Sequence, residues 1–286
     1  MSQPSSLRAD QPVLVFDSGV GGLTIFEALR ARLPAERYVY ACDNAAFPYG
    51  PKAADALTDR VHAVLDALCA RFQPKLIVVA CNTASTVALP RLRSHYPLPI
   101  VGVVPAIKPA AQLSRNRIIG LLATPGTVQR PYTDQLIRDF AADCTVIRVG
   151  SSALVEQAER KLRGEAVDQP LLHELLRPFI DGAADTIVLG CTHFPLLRDE
   201  LQQAAAKPLQ WIDSGDAIAR RVEQLLNEQQ LRHLASPQPP VAALTADDAD
   251  ARALWPALQQ RGFGSLETVQ VQTAAVSRAS AAPDLP

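Results

Sequence analysis

Short runs of apolar, β-branched residues alternate with longer stretches of amphipathic spacing along most of the chain. Residues 13–16, 38–41 and 76–79 are typical of strands. Residues 23–32 and 53–72 instead place their apolar residues at helical spacing. Strands that are apolar throughout, and that helices separate, indicate parallel strands buried on both faces. The pattern therefore predicts an α/β fold in layers.

The same alternation of strand-like and helical segments starts again after residue 103. Residues 118–122, 145–149 and 186–189 are strand-like, with helical segments between them. The third strand of each half is followed by the same kind of residues, a small residue, a cysteine and then polar side chains, at Cys81 and at Cys191. Ligands of open α/β sheets bind outside the carboxyl ends of the strands. We therefore predict two similar units whose cysteines face one shared cleft.

The remaining segments are predicted more simply. Residues 217–230 have helical spacing, and residues 241–271 add a strand, a helix and a strand. Polar residues dominate positions 1–11, and Ala, Ser and Pro dominate positions 272–286. Both end segments are predicted to be flexible tails.

Charge and apolar run length restrict the class of protein. The chain has 286 residues and a formal net charge of -1, so it has no electrostatic footprint for nucleic acid or an anionic membrane. Its apolar runs fall far short of the roughly 20 residues that a membrane helix needs. Residues 1–12 lack the basic and apolar regions of a secretory signal. We expect a cytoplasmic protein with a small-molecule substrate and no nucleic-acid or membrane partner, either a monomer or a homodimer.

The cysteines are too few for a disulfide scaffold, and they form no C-x-x-C pair. The five are Cys42, Cys69, Cys81, Cys144 and Cys191. A thiol between a strand end and a helix N-terminus can have its pKa lowered from about 8.5 toward neutrality. Cys81 and Cys191 are placed in this way, whereas the other three are predicted to be structural. The residues Asn82, Thr83 and Thr192 add donors suited to a carboxylate. A metal site at Cys191 and His193 would lack further nearby ligands, and none is predicted.

Two loops carry further candidate residues. Residues 17–23 form a glycine-rich turn whose backbone N–H groups favour an anion, next to Asp17 and Ser18, which are predicted to be exposed. A dinucleotide fingerprint is disfavoured there, because Thr24 occupies its third glycine position. Residues 43–50 form a loop in which Tyr49 either offers its hydroxyl to a ligand or packs on a helix.

These motifs together resemble those of the glutamate racemases, in the cofactor-independent aspartate/glutamate racemase superfamily. The matching segments are FDSGVGGLT at residues 16–24, DNAAFPYG at 43–50, CNTAS at 81–85 and GCTHFPLL at 190–197. Weaker matches are the turn at residues 124–127, the helix at 154–156 and the segment 213–215. The resemblance spans about residues 13–270, nearly the whole chain.

The resemblance implies two similar three-layer α/β domains with mostly parallel sheets, related by a pseudo-twofold axis, and an active site in the interdomain cleft. The last segment is expected to return to the first domain. The expected domains are residues 12–104 with 214–271, and residues 105–213.

The resemblance also implies reversible conversion of L-glutamate to D-glutamate for peptidoglycan synthesis, without pyridoxal phosphate, metal or any other cofactor. Cys81 and Cys191 match the two catalytic thiols, and Asp17, Glu156 and His193 match residues that assist them. The substrate-contacting positions are Asp17, Ser18, Tyr49, Gly50, Asn82, Thr83, Thr192 and His193. Inversion through a planar carbanion needs an acid and a base on opposite faces, which paired thiols supply.

Two alternatives remain at this point. The same fold could racemise aspartate or another acidic amino acid, although Tyr49, Gly50 and the full motif set favour glutamate. The chain could also be an amino-acid-binding or regulatory protein that kept the cleft. Gyrase inhibition, described for some members of the family, gains no support from a net charge of -1.

Overall fold

A computed structural model describes residues 7–235 and 238–272. Its ten strands are β1 Val13–Asp17, β2 Tyr38–Cys42, β3 Leu76–Val79, β4 Ile100–Gly102, β5 Ile118–Ala123, β6 Thr145–Gly150, β7 Thr186–Leu189, β8 Gln210–Ile212, β9 Val241–Leu244 and β10 Ser265–Thr268. Its helices in these residues are α1 Leu23–Arg32, α2 Ala54–Phe72, α3 Asn82–His95, α4 Ile107–Leu113, α5 Pro125–Gln129, α6 Pro131–Phe140, α7 Ala153–Leu162, α8 Gln169–Asp181, α9 Arg198–Ala205, α10 Gly215–Glu228 and α11 Ala249–Gln260.

The strands form two sheets in which every pair is parallel. The first sheet has the order β10-β9-β2-β1-β3-β4, and the second has the order β6-β5-β7-β8. Strands β1 to β4 are therefore arranged as β5 to β8 are, and β9 and β10 extend the first sheet at its β2 edge. The predicted α/β class with parallel sheets and two similar units is confirmed.

Alternate residues of each central strand pack into different hydrophobic clusters. In β1, Val13 and Val15 pack with α1, α10 and α11, whereas Leu14 and Phe16 pack with α2 and α3 on the other face. The second sheet is covered on both faces in the same way. Full burial of one such side chain stabilises the fold by about 1.5–3 kcal/mol, so near-continuous apolar strands are what a three-layer core requires.

Two sequence predictions differ from the structure. Helix α3 begins at Asn82 rather than near residue 85, because the Cys81 sulfur accepts a hydrogen bond from the Ala84 N–H and caps the helix. Strand β6 is partly exposed rather than buried on both faces, since it is the edge strand of the second sheet.

The chain position of each strand matches its sheet. Residues 13–102 and 241–268 supply the first sheet, and residues 118–212 supply the second. The domain boundaries between these ranges stay a prediction. The predicted tails at residues 1–11 and 272–286 lie largely outside the described residues. Within the described part of the chain, the helices are too short or too polar to span a membrane.

Candidate active site

Cys81 lies two residues after β3, one strand from the edge of the first sheet. Its sulfur accepts the Ala84 N–H at 3.5 Å, and its thiol donates to Ser18 Oγ at 3.7 Å. Burial raises the pKa of Cys81 well above its usual value, and the nearby carboxyl of Asp17 raises it further. The charge of Cys191 acts in the same direction. The two thiols are therefore near enough to influence each other.

Cys191 lies two residues after β7, at the equivalent position of the second sheet. Its sulfur is 3.8 Å from His193 Nδ1, and His193 Nε2 is 2.9 Å from Glu159 Oε1. Burial disfavours a charged imidazole, but the contacts with Cys191 and Glu159 outweigh it and raise the pKa of His193 well above its usual value. The imidazole therefore connects Cys191 to Glu159.

Asp17 and Ser18 are buried, and the prediction that they are exposed is wrong. Asp17 is 0% exposed at the end of the central strand β1, where it accepts the Ser18 N–H at 2.6 Å and the Thr192 hydroxyl at 3.0 Å. Thr192 comes from the second sheet, so the second unit covers this turn. Burial raises the pKa of the Asp17 carboxyl despite the nearby charge of His193.

The glycine-rich turn is needed for close approach between the two units. A Cβ at Gly21 would lie 2.6 Å from the backbone nitrogen of His193 and 2.7 Å from Thr192 Oγ1. A Cβ at Gly19 would collide with Glu159 Oε1. The anion at this turn is a side chain of the protein itself, because the Val20 N–H donates to Glu159 Oε1 at 2.8 Å.

The structure places Glu159 where the resemblance placed Glu156. Glu156 is exposed on α7, whereas Glu159 is 7% exposed and contacts His193. Helical spacing could have indicated this, because residue 159 lies four positions after the buried Val155. A role for Glu156 stays a prediction that the geometry does not favour.

Asn82 and Thr83 occupy the first turn of α3, next to Cys81, and both side chains are buried. Among the described residues, Asn82 Oδ1 has no hydrogen-bond partner. A buried acceptor without a donor costs free energy, so this oxygen suits a ligand that brings N–H groups.

In the loop before α2, Tyr49 follows the second of its two predicted alternatives and packs against a helix. The Tyr49 hydroxyl donates to Asp43 Oδ2 at 2.6 Å, and Arg60 forms an ion pair with the same carboxylate. The Tyr49 ring packs in the core near Phe16, so its hydroxyl stabilises the loop instead of facing a ligand. The backbone at Gly50 faces the turn at Gly126 in the second unit: a Cβ on Gly126 would lie 3.8 Å from the Gly50 carbonyl oxygen.

The remaining cysteines lie elsewhere. Cys42 is buried, Cys69 and Cys144 are partly exposed, and all five cysteines are free thiols. In residues 7–235 and 238–272, no cluster of three or more His, Cys, Asp and Glu side chains could hold a metal ion.

The fold and this site together define an α/β protein built from two similar units, with a pair of buried thiols between them. Residues 23–222 match the Asp/Glu/Hydantoin racemase family. The chain is 50% identical to the glutamate racemase of Pectobacterium carotovorum over 92% of this chain and 93% of that protein. It is 51% identical to the glutamate racemase of Serratia proteamaculans over 91% of each chain.

Solved structures give the same result. The glutamate racemase of Escherichia coli, in complex with L-glutamate and the activator UDP-MurNAc-ala, has 47% identity and a TM-score of 0.86 over 92% of this chain and all of its own. A glutamate racemase isoform of Bacillus anthracis has 25% identity and a TM-score of 0.80, covering 93% of this chain and 98% of its own. The chain therefore belongs to the Asp/Glu/Hydantoin racemase family.

Proposed function

We propose that this chain interconverts L-glutamate and D-glutamate, with Cys81 and Cys191 as the acid and base. The observation that carries the proposal is the pair of buried thiols, each placed at the carboxyl end of an equivalent strand. Glutamate as the substrate is supported by about half identity to curated glutamate racemases over nearly the whole chain. The E. coli relative, crystallised with L-glutamate, supports the same substrate.

In the L-to-D direction, the Cys191 thiolate removes the α-proton and the Cys81 thiol donates a proton to the opposite face. The raised pKa of Cys81 suits its role as the acid in this direction, because burial and Asp17 favour the thiol. Cys191 contacts the His193 imidazole. In the D-to-L direction the two thiols exchange roles.

An α-proton next to a carboxylate is very weakly acidic, so the site must stabilise the carbanion. Water exclusion and preorganised donors provide that stabilisation. Ser18 and Thr83 are buried polar side chains near Cys81 whose hydroxyls can donate to a substrate carboxylate, while the Thr192 hydroxyl donates to Asp17. Asn82 Oδ1 can accept from the substrate ammonium, which would remove an unpaired buried acceptor.

The roles of the remaining residues follow from their contacts. Asp17 raises the pKa of Cys81, and His193 contacts Cys191, with Glu159 holding the imidazole. Gly50 contributes backbone only. A cytoplasmic enzyme with these roles would need no cofactor and would supply D-glutamate for peptidoglycan synthesis.

The direct test mixes purified protein with L-glutamate and measures the loss of the circular dichroism signal of the amino acid. We expect conversion to an equal mixture of the two enantiomers after the protein has been treated with a metal chelator. L-aspartate is the matched comparison substrate, and Cys81→Ser is the control for contaminating activity. No conversion of L-glutamate, or faster conversion of L-aspartate, would contradict the proposal.

A further inference from the structure

One arginine of the second unit reaches across to the helix that carries Cys81. Arg130 connects α5 to α6, beside the second sheet, and its Nη1 donates to the Thr83 carbonyl oxygen at 3.3 Å. The same nitrogen donates to Thr86 Oγ1. The Thr86 hydroxyl also donates to the Thr83 oxygen, at 3.0 Å. One guanidinium nitrogen therefore binds two acceptors near the start of α3, the Thr83 carbonyl oxygen and Thr86 Oγ1.

These partners are all neutral. Among the described residues, Arg130 forms no ion pair with a carboxylate, although its side chain is partly buried. Burial lowers the pKa of its guanidinium, and negative charge on Cys81 opposes that effect. Hydrogen bonds to neutral acceptors are weaker than those in a charged pair, so this connection can open more readily than a buried ion pair could.

Arg130 also lies at a second place where the two units contact each other. A Cβ at Gly126 would lie 3.8 Å from the Gly50 carbonyl oxygen and 3.9 Å from Arg130 Nη2. Helix α5 contacts α3 in the same region. The guanidinium thus lies near the turn at Gly126, which approaches the loop at Gly50, and contacts the start of α3, whose N-terminal cap is Cys81.

We propose that Arg130 and Thr86 form a clasp that holds the cleft closed over Cys81 and Cys191. The clasp is a positioning device: it contacts the helix that carries the thiol and takes no part in proton transfer. Its effect on turnover rests on the proposed function, but its effect on the exposure of the thiols does not. Opening the clasp is the step that admits and releases the substrate.

The test measures how fast iodoacetamide alkylates each cysteine, with the sites separated by mass spectrometry after digestion. The variants are Arg130→Met, Thr86→Val and the double variant, in the absence of substrate. We expect Cys81 and Cys191 to be alkylated about tenfold faster in Arg130→Met than in the wild type, because the closed cleft loses the hydrogen bonds of Arg130. A tenfold change corresponds to about 1.4 kcal/mol. The double variant should be no faster than Arg130→Met, since both changes remove the same contact.

The chain offers internal controls. Cys42 is a buried thiol in the core of the first sheet, so its reaction rate reports general loosening of the fold. Arg148→Met removes a comparable arginine that bonds Asp134 and the Val128 oxygen within the second unit. It should leave Cys81 and Cys191 unchanged. With glutamate, Arg130→Met should raise KM severalfold while kcat stays within about threefold.

Two results would overturn the clasp. One is an unchanged alkylation rate at Cys81 in Arg130→Met. The other is equal acceleration at Cys42, which would make Arg130 a general stabiliser of the fold. Wild-type protein that fails to racemise glutamate would contradict the proposed function, whereas the alkylation result would still decide the clasp.

Discussion

Cys81 and Cys191 occupy equivalent positions in the two units, yet different groups surround them. The first unit continues from its cysteine straight into the 14-residue helix α3, so the Cys81 sulfur accepts a backbone N–H of that helix. The second unit continues into a short 3-10 turn, Phe194–Leu197, and Cys191 instead contacts the His193 imidazole. One sulfur is therefore contacted by a helix N-terminus and the other by an imidazole.

This difference shows how a duplicated fold can carry an asymmetric reaction. The strand order places both sulfurs at equivalent strand ends, while the segment that follows each strand sets the groups around its thiol. Asp17 lies beside Cys81 and raises its pKa. Cys191 contacts His193, whose own pKa is raised. The two thiols therefore have different electrostatic surroundings.

The largest effect is expected from the thiols themselves. Cys81→Ser and Cys191→Ser should each lower the racemisation rate by at least about a hundredfold, because general acid–base groups contribute about 10²–10⁴. Serine at Cys42, Cys69 or Cys144 should leave the rate within a few-fold of wild type. Near-normal turnover by either of the first two variants, measured by circular dichroism, would refute the paired-thiol mechanism.

The next effect tests the asymmetry. His193→Gln removes the charged partner of Cys191, so we expect a loss of about a hundredfold in kcat. The alkylation rate of Cys191 at one fixed pH should change in this variant, because the sulfur loses its contact with the imidazole, while the rate at Cys81 should change much less. Equal changes at both cysteines would show that the imidazole does not act on one thiol alone.

A smaller loss is expected at Glu159. Glu159→Gln keeps the shape but weakens the hydrogen bond to His193, which should cost about tenfold in kcat, since hydrogen bonds to charged groups contribute about 1.5–3 kcal/mol. Glu156→Gln, one turn earlier and exposed, is the matched control and should change kcat by less than about twofold. The reverse ranking would restore Glu156 as the assisting carboxylate.

The smallest effect concerns pH. Because burial and Asp17 raise the pKa of Cys81, its alkylation midpoint should lie above the ordinary cysteine value of about 8.5. Asp17→Asn removes a negative charge that opposes the thiolate, so the midpoint should fall. The other groups that face this sulfur are Ser18, Cys191 and the Arg130 guanidinium, and they are unchanged in the variant. A midpoint that stays or rises would contradict the assigned role of Asp17.

The sequence predicted the sheets and both thiols because these depend on local order. Buried parallel strands are apolar throughout, and the residues that follow a strand lie at its carboxyl end, where Cys81 and Cys191 are found. Contacts between the two units were not predictable in this way. The burial of Asp17, the choice of Glu159 over Glu156 and the pairing of Tyr49 with Asp43 all depend on segments that are distant in the chain or on the exact face of a helix.

Isotope exchange tests most directly whether two thiols act from opposite faces of the α-carbon. L-glutamate is mixed with the enzyme in deuterated water, and both enantiomers are separated and analysed by mass spectrometry at low conversion. The proton removed by Cys191 is not the one that Cys81 returns, so D-glutamate should carry deuterium at Cα from its first appearance. The remaining L-glutamate should stay mostly protiated. Largely unlabelled D-glutamate at low conversion would mean that one group serves both faces, and it would contradict the paired-thiol site.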